Sequence, residues 1–118
     1  MDRVEKLIAA EFKRNDDGRI LFRIAGHSTY AAKGKDVVCA AVSGIAYALV
    51  GYLRCFKSEE SRIIRFTSGI LELDCSDECN EVLQMACVGL SRIAFTYPDQ
   101  VSLKNRVWYK LIEKNEKG

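Results

Sequence analysis

The 118-residue chain is 48% hydrophobic and 29% charged, the composition of one globular domain large enough to bury a core without disulfide or metal staples. A net charge of +2, with Lys and Arg dispersed among acids, does not point to direct nucleic-acid binding. Five cysteines do not pair evenly and the N-terminus has no apolar stretch of secretory length; together these predict a cytoplasmic chain with reduced thiols.

In chain order, Leu7 to Lys13 alternates, with Ile8, Ala10 and Phe12 on one side. Asn15-Asp16-Asp17-Gly18 is a turn signal, and Arg19 to Ala25 alternates again with Ile20, Phe22 and Ile24 on one face, which predicts a hairpin with one wet face. A loop of small residues follows over 28–35, with Gly34 as a hinge. Asp36 is placed to cap a helix from about Val37 to Arg54. Its Gly44, Ala48 and Gly51 form a small-residue strip suited to close approach of a neighbour. Val37 to Leu53 carries no charge, near the lower length limit of a membrane span. Its alanines, Ser43 and glycines read instead as a core helix, with no membrane partner.

Arg62 to Thr67 and Ile70 to Cys75 predict a second hairpin across Ser68-Gly69. Ser76, Asp77 and Glu78 open a second helix, the acids being favourable at its positive end, with Val82, Ala86, Gly89 and Ile93 on one face. Pro98 stops it, and Val101 and Leu103 begin a last strand. The tail 113–118 is expected to fray. The order strand-strand-helix-strand-strand-helix-strand predicts one α+β domain over 1–118: two layers, a mostly antiparallel sheet with both helices on one face. The other sheet face would carry Arg19, Arg23 and Arg65 beside Leu21 and Ile63, a half-apolar surface that a second subunit could cover. Glu72, Asp74, Asp77, Glu78 and Glu81 form an acidic patch that would attract a basic partner, or simply a solvated strand edge and an acidic helix start. Cys75 and Cys79 lie close together, but no second Cys/His pair completes a metal site, and no cofactor is implied.

Chemistry concentrates at residues 26–43. His27, the chain's single histidine, follows a strand, and Cys39 falls in the first turn of a helix. Unpaired backbone N–H groups and the positive helix end favour an anionic sulfur there. His27 can take the proton and return it to a leaving amine, and the same N–H groups can hold an oxyanion. Ser43, four positions after Cys39, shares its helical face; the 28–35 loop would act as a lid. The plainer alternatives are a small buried cysteine, a structural histidine and Asp36 as a cap alone.

The string Gly26-His27, Tyr30-Ala31, Gly34 and Asp36-Val37-Val38-Cys39-Ala40-Ala41-Val42-Ser43 resembles the signature GHA…G.DIVCAAVS of the ribosomal-processing cysteine protease family, Prp. Gly89-Leu90, Ile93-Ala94, Tyr97-Pro98-Asp99 and Val101 resemble that family's ending, so the similarity runs from about Leu7 to Leu103. The resemblance implies a cytosolic, homodimeric cysteine endopeptidase. Its substrate would be the short N-terminal extension of a large-subunit ribosomal protein, the one numbered twenty-seven. The family's histidine falls on His27, its nucleophile on Cys39, and its aspartate and serine on Asp36 and Ser43. Ser28 replaces the usual alanine, and Thr29-Tyr30 stand where a glycine is common. Residues 104–118, with Trp108 and Tyr109, run past the usual end. The alternative from another class is a non-catalytic ribosome-associated RNA- or protein-binding module of the same fold.

Overall fold

Alternation of apolar and polar residues fixes the first two strands. The computed structural model describes residues 8–26, 37–67 and 69–103. Within it β1 (Ile8–Arg14) and β2 (Ile20–Ala25) pair antiparallel, with Phe12 opposite Phe22 and Ala10 opposite Ile24. The inward set is buried and the outward set is not, as a period of two requires. The connection closes through Asn15, whose N–H donates to the Arg19 carbonyl at 2.8 Å and whose carbonyl accepts from Gly18 N–H at 3.0 Å. Gly18 has φ +86° with nothing within 4 Å of a built Cβ, so backbone conformation, not space, selects glycine there.

Strand β4 (Ile70–Cys75) lies beside β2, and β3 (Ser61–Thr67) lies beside β4, both antiparallel. Strand β5 (Val101–Leu103) runs parallel to β1. The order is β3-β4-β2-β1-β5, and the mostly antiparallel α+β sheet agrees with expectation. Helices α1 (Val37–Phe56) and α2 (Asn80–Thr96) bury Val38, Val42, Leu49, Val50 and Leu53, and Leu83, Ala86, Cys87, Leu90 and Ala94. These close one core with the inward residues of β1, β2 and β4. By length and composition α1 could also cross a membrane; here one side of it packs into this core.

Three local expectations change. The strip Gly44, Ala48 and Gly51 is exposed, and nothing lies within 4 Å of a Cβ built on either glycine. The close helix contact is made from α2 instead: a Cβ on Gly89 would sit 2.9 Å from Ile45 Cδ1. The buried face of α2 is turned toward Leu83, Cys87, Leu90 and Ala94, leaving Val82, Gly89 and Ile93 half-buried. Both stripes are apolar, so helical periodicity alone did not choose between them. The helix is also preceded by a 3-10 turn, Asp77–Cys79, capped by Ser76, whose hydroxyl accepts from Glu78 N–H at 3.2 Å.

The outer sheet face loses one of its two expected apolar residues. Register shifts between Ile63 and Arg65, which sends Ile63 inward against the core and keeps Arg65 outward opposite Glu72. A bulge absorbs one residue and re-aims the side chains after it. Arg19 and Arg62 then clasp Asp74 at 3.0 and 3.3 Å, and Arg23 and Arg65 clasp Glu72 at 3.0 and 3.4 Å. Leu21 remains on that face, half-buried. Two acids of the expected patch are thus already neutralised. Asp77 pairs with Arg14. Asp77, Glu78 and Glu81 instead border a shallow open hollow at the start of α2.

Candidate active site

At one end of the sheet a cavity of about 490 Å³ opens between α1 and the ends of the strands. The backbone there turns on two left-handed glycines, Gly26 (φ +98°) and Gly69 (φ +85°). Gly26 N–H donates to the Gly69 carbonyl at 2.7 Å. That bond ties the exit of β2 to the β3–β4 turn and holds the rim. A side chain at either glycine would strain the left-handed backbone.

Cys39 lines this cavity and is half-buried. It is the third residue of α1, within the turn whose N–H groups have no intrahelical acceptor. Ser43, one turn on, lines the same wall, and Tyr47 extends it by another turn. The spacing i, i+4, i+8 puts the three on one side of the helix. The opposite wall is built by Phe66 and Thr67 of β3 and the floor by Ile8, Ile24, Val42, Ala46 and Leu71. Among the described residues no charged side chain lines the cavity.

Of the six residues singled out in the sequence, Cys39, Ser43 and Gly26 are brought together at this cavity. His27, Gly34 and Asp36 lie outside the described residues, as do the 28–35 loop and the tail 104–118. Gly26, the residue before His27 in the sequence, lines the same cavity as Cys39. Tyr47, Phe66, Thr67 and Gly69 also line the cavity, with no motif to mark them. Tyr47 continues the Cys39–Ser43 face, a signal present in the spacing; Phe66 comes from a strand that only the tertiary fold brings there.

The other thiols occupy different surroundings. All five cysteines are free. Cys75 and Cys79 are fully buried and Cys87 nearly so. Burial pushes the Cys75 thiol up to about 12, with Cys79 alongside adding to the shift. Burial alone pushes Cys87 to about 12, and burial also raises Cys79. The Cys79 thiol donates to the Glu60 carbonyl at 3.6 Å. These are inert core thiols. Among the described residues no group of His, Cys, Asp and Glu is arranged to hold a metal.

The chain is similar to known proteins in sequence and in fold. The sequence pattern of the family described as cysteine protease Prp matches residues 7–102. A ribosomal processing cysteine protease Prp of Mycoplasma genitalium is 35% identical over 77 residues, covering 64% of this chain and 78% of that protein. The fold is similar to that of an essential ribosomal processing protease Prp from S. aureus, solved with a covalently linked product peptide. The TM-score is 0.70 at 25% identity, covering 83% of this chain and 98% of that one. A second structure of that protease, with a substrate peptide, gives 0.68 at 24% identity over the same shares.

Proposed function

The chain belongs to the cysteine protease Prp family, and from that premise we propose that it is an endopeptidase acting through Cys39 and His27. Its substrate in this reading is the short N-terminal extension of the large-subunit ribosomal protein numbered twenty-seven. The observation that carries the mechanism is that Cys39 and Gly26, the neighbour of His27 in sequence, line one cavity. The remaining thiols are buried or, like Cys55, exposed away from it.

The steps follow from thiol chemistry. Cys39 Sγ gives its proton to His27 and attacks the scissile carbonyl carbon. The carbonyl oxygen becomes an oxyanion, held by free N–H groups of the first turn of α1. Collapse breaks the C–N bond, and His27 returns the proton to the departing amine. Water, deprotonated by His27, then hydrolyses the thioester and frees Cys39. Ser43 offers a hydroxyl on the same wall; in this proposal Asp36 and Gly34 are supporting residues of the site.

Homodimerisation and a cytoplasmic location belong to the same proposal. The five free thiols support the location. A dimer would need a surface other than the ion-paired outer sheet face. The outer side of α1 has Ala48, Gly51, Tyr52 and Phe56 exposed and no charge before Arg54. The RNA-binding alternative loses support because Arg14, Arg19, Arg23, Arg62 and Arg65 all hold acidic partners. The deciding experiment is mass spectrometry of the extended ribosomal precursor after incubation with this protein. Loss of the N-terminal extension is expected with the native chain and not with Cys39→Ala or His27→Ala. An intact precursor, or undiminished cleavage by either variant, overturns the reading.

A further inference from the structure

Strand β5 covers the first part of β1 and stops. It pairs with Ile8, Ala9 and Ala10, whereas β1 runs on to Arg14. On that side Glu11, Lys13 and Arg14 meet no further strand among the described residues. An uncovered edge is a template for another chain, and proteins close such edges with a strand, a loop or charge. This edge ends at the hollow where α2 begins, because Arg14 pairs with Asp77 and donates to Asn80 Oδ1 at 2.8 Å. Two acids of the hollow, Glu78 and Glu81, are exposed and hold no salt bridge among the described residues.

The sequence past Leu103 fits this opening. It reads KNRVWYKLI over 104–112, with Lys104, Arg106 and Lys110 and no acid before Glu113. It lies beyond the family match, which ends at residue 102. Because β5 runs parallel to β1, the chain leaves Leu103 heading for the hollow. Carrying the register on by one residue sets Lys104 beside Glu11, an opposite charge. Two residues later Arg106 would meet Lys13, and that like charge favours a turn off the sheet toward the acids. The span from Ala10 to Arg14 is about 13 Å at roughly 3.3 Å per residue, within reach of this segment. We propose that residues 104–112 dock here, covering the β1 edge and seating Arg106 and Lys110 on Glu78 and Glu81. Trp108 and Tyr109 then lie on α2 at Gln84, which lines the hollow, and at Val88 one turn on, both half-buried. The docked segment removes a pairing edge from solvent and supplies the cations that the two acids lack. It does not rest on the peptidase reading.

Trp108, the chain's single tryptophan, reports on docking directly. In the full chain its emission should be blue-shifted, and its quenching by acrylamide several-fold weaker, relative to the same chain in urea. Glu78→Gln combined with Glu81→Gln should shift the emission to the red and raise quenching toward the unfolded level. Molar salt should act in the same direction, since it screens exposed charges. Glu59→Gln, which removes an exposed acid outside the hollow, should change nothing. A carbodiimide should join Lys104 or Lys110 to Glu11, Glu78 or Glu81. In a mixture of isotope-labelled and unlabelled protein, the joined peptides should come from one chain. A native Trp108 as open to quencher as in urea, or no joined peptide, would overturn the docking. Protection that survives the double substitution would place the segment elsewhere and overturn it too. Joined peptides drawn from two chains, with protection that rises with protein concentration, would overturn it in favour of a second copy's segment.

Discussion

The two ends of the sheet hold cysteines in opposite circumstances. At the end where β4 meets the 3-10 turn, Cys75 and Cys79 have no exposed surface and Ser76 closes the backbone over them with its N–H on the Glu60 carbonyl at 2.8 Å. At the end where β2 leaves the sheet, two left-handed glycines turn the chain aside and a cavity reaches Cys39. The same side chain is a filler at one end and an accessible group at the other. The difference is made by backbone, not by the residue: a closed turn excludes water, and a glycine rim admits a ligand.

The largest expected effect breaks this comparison directly. Cys39→Ala should lower the cleavage rate by on the order of a thousandfold or more, as loss of a nucleophile does, with an unchanged unfolding midpoint. Cys79→Ala should leave cleavage intact and destabilise the fold by roughly 1–2 kcal/mol through lost packing. Urea unfolding and a peptide cleavage assay on both variants check this. Reversal of the two outcomes would place the reactive thiol at the wrong end.

Reactivity and alkaline stability sharpen it. With iodoacetamide at neutral pH, Cys39 should be modified first. Cys55, exposed near the end of α1 and outside the cavity, should follow. Cys75, Cys79 and Cys87 should react only on unfolding. Those three thiols have raised folded values, so the unfolded chain releases their protons first. The neutral burial of Cys75 and Cys87 stabilises the fold fully below about 9, and that contribution is lost as pH rises from there toward about 12; Cys79 acts in the same direction. Stability should fall by up to about 1.4 kcal/mol per pH unit for each such thiol. Urea midpoints from pH 8 to 10.5 should decline, and Cys87→Ala should flatten the decline. A flat native profile would contradict burial of these groups.

Much of this was legible in the sequence. The hairpins, the turn at Asn15–Gly18 and the stop at Pro98 are carried by nearest-neighbour chemistry, and the structure keeps them. Cys39 and Ser43 on one helical wall followed from a spacing of four. What failed was information that spacing does not hold. The bulge between Ile63 and Arg65 inverted one residue's face, because the alternation around Ile63-Ile64 fits either register. The glycines of α1 suggested a helix contact that Gly89 makes, because a glycine marks possible closeness without naming its neighbour. Phe66 entered the cavity only through the fold.

A smaller effect follows from those α1 glycines. Gly44→Ala and Gly51→Ala replace exposed helical glycines with open space around the new methyl. Each should stabilise the monomer by about 0.5–1 kcal/mol. If the proposed dimer uses this side of α1, the same methyls separate the two helices. Thermal unfolding would then rise at low protein concentration while sedimentation shows weakened association. Stabilisation with unchanged association would move the dimer contact elsewhere.

The smallest effect belongs to the outer sheet face. Partial burial pushes the Asp74 carboxyl up, but the hydrogen bonds and charges of Arg19 and Arg62 outweigh it and hold it below its ordinary 3.8. A depressed folded value contributes stability that is present above about 3.8 and lost as pH falls through the lower folded value. The pairs are partly solvated, with Arg62 70% exposed, so water and salt screen much of the attraction. Asp74→Asn should therefore cost only about 0.5 kcal/mol at neutral pH, and should flatten the acid limb of the stability profile. The cost should shrink further in molar salt, whereas that of Cys79→Ala should not, because lost packing carries no charge to screen. A salt-insensitive penalty at Asp74 would mean that this face is held by packing after all, and would reopen it as a surface for a second subunit.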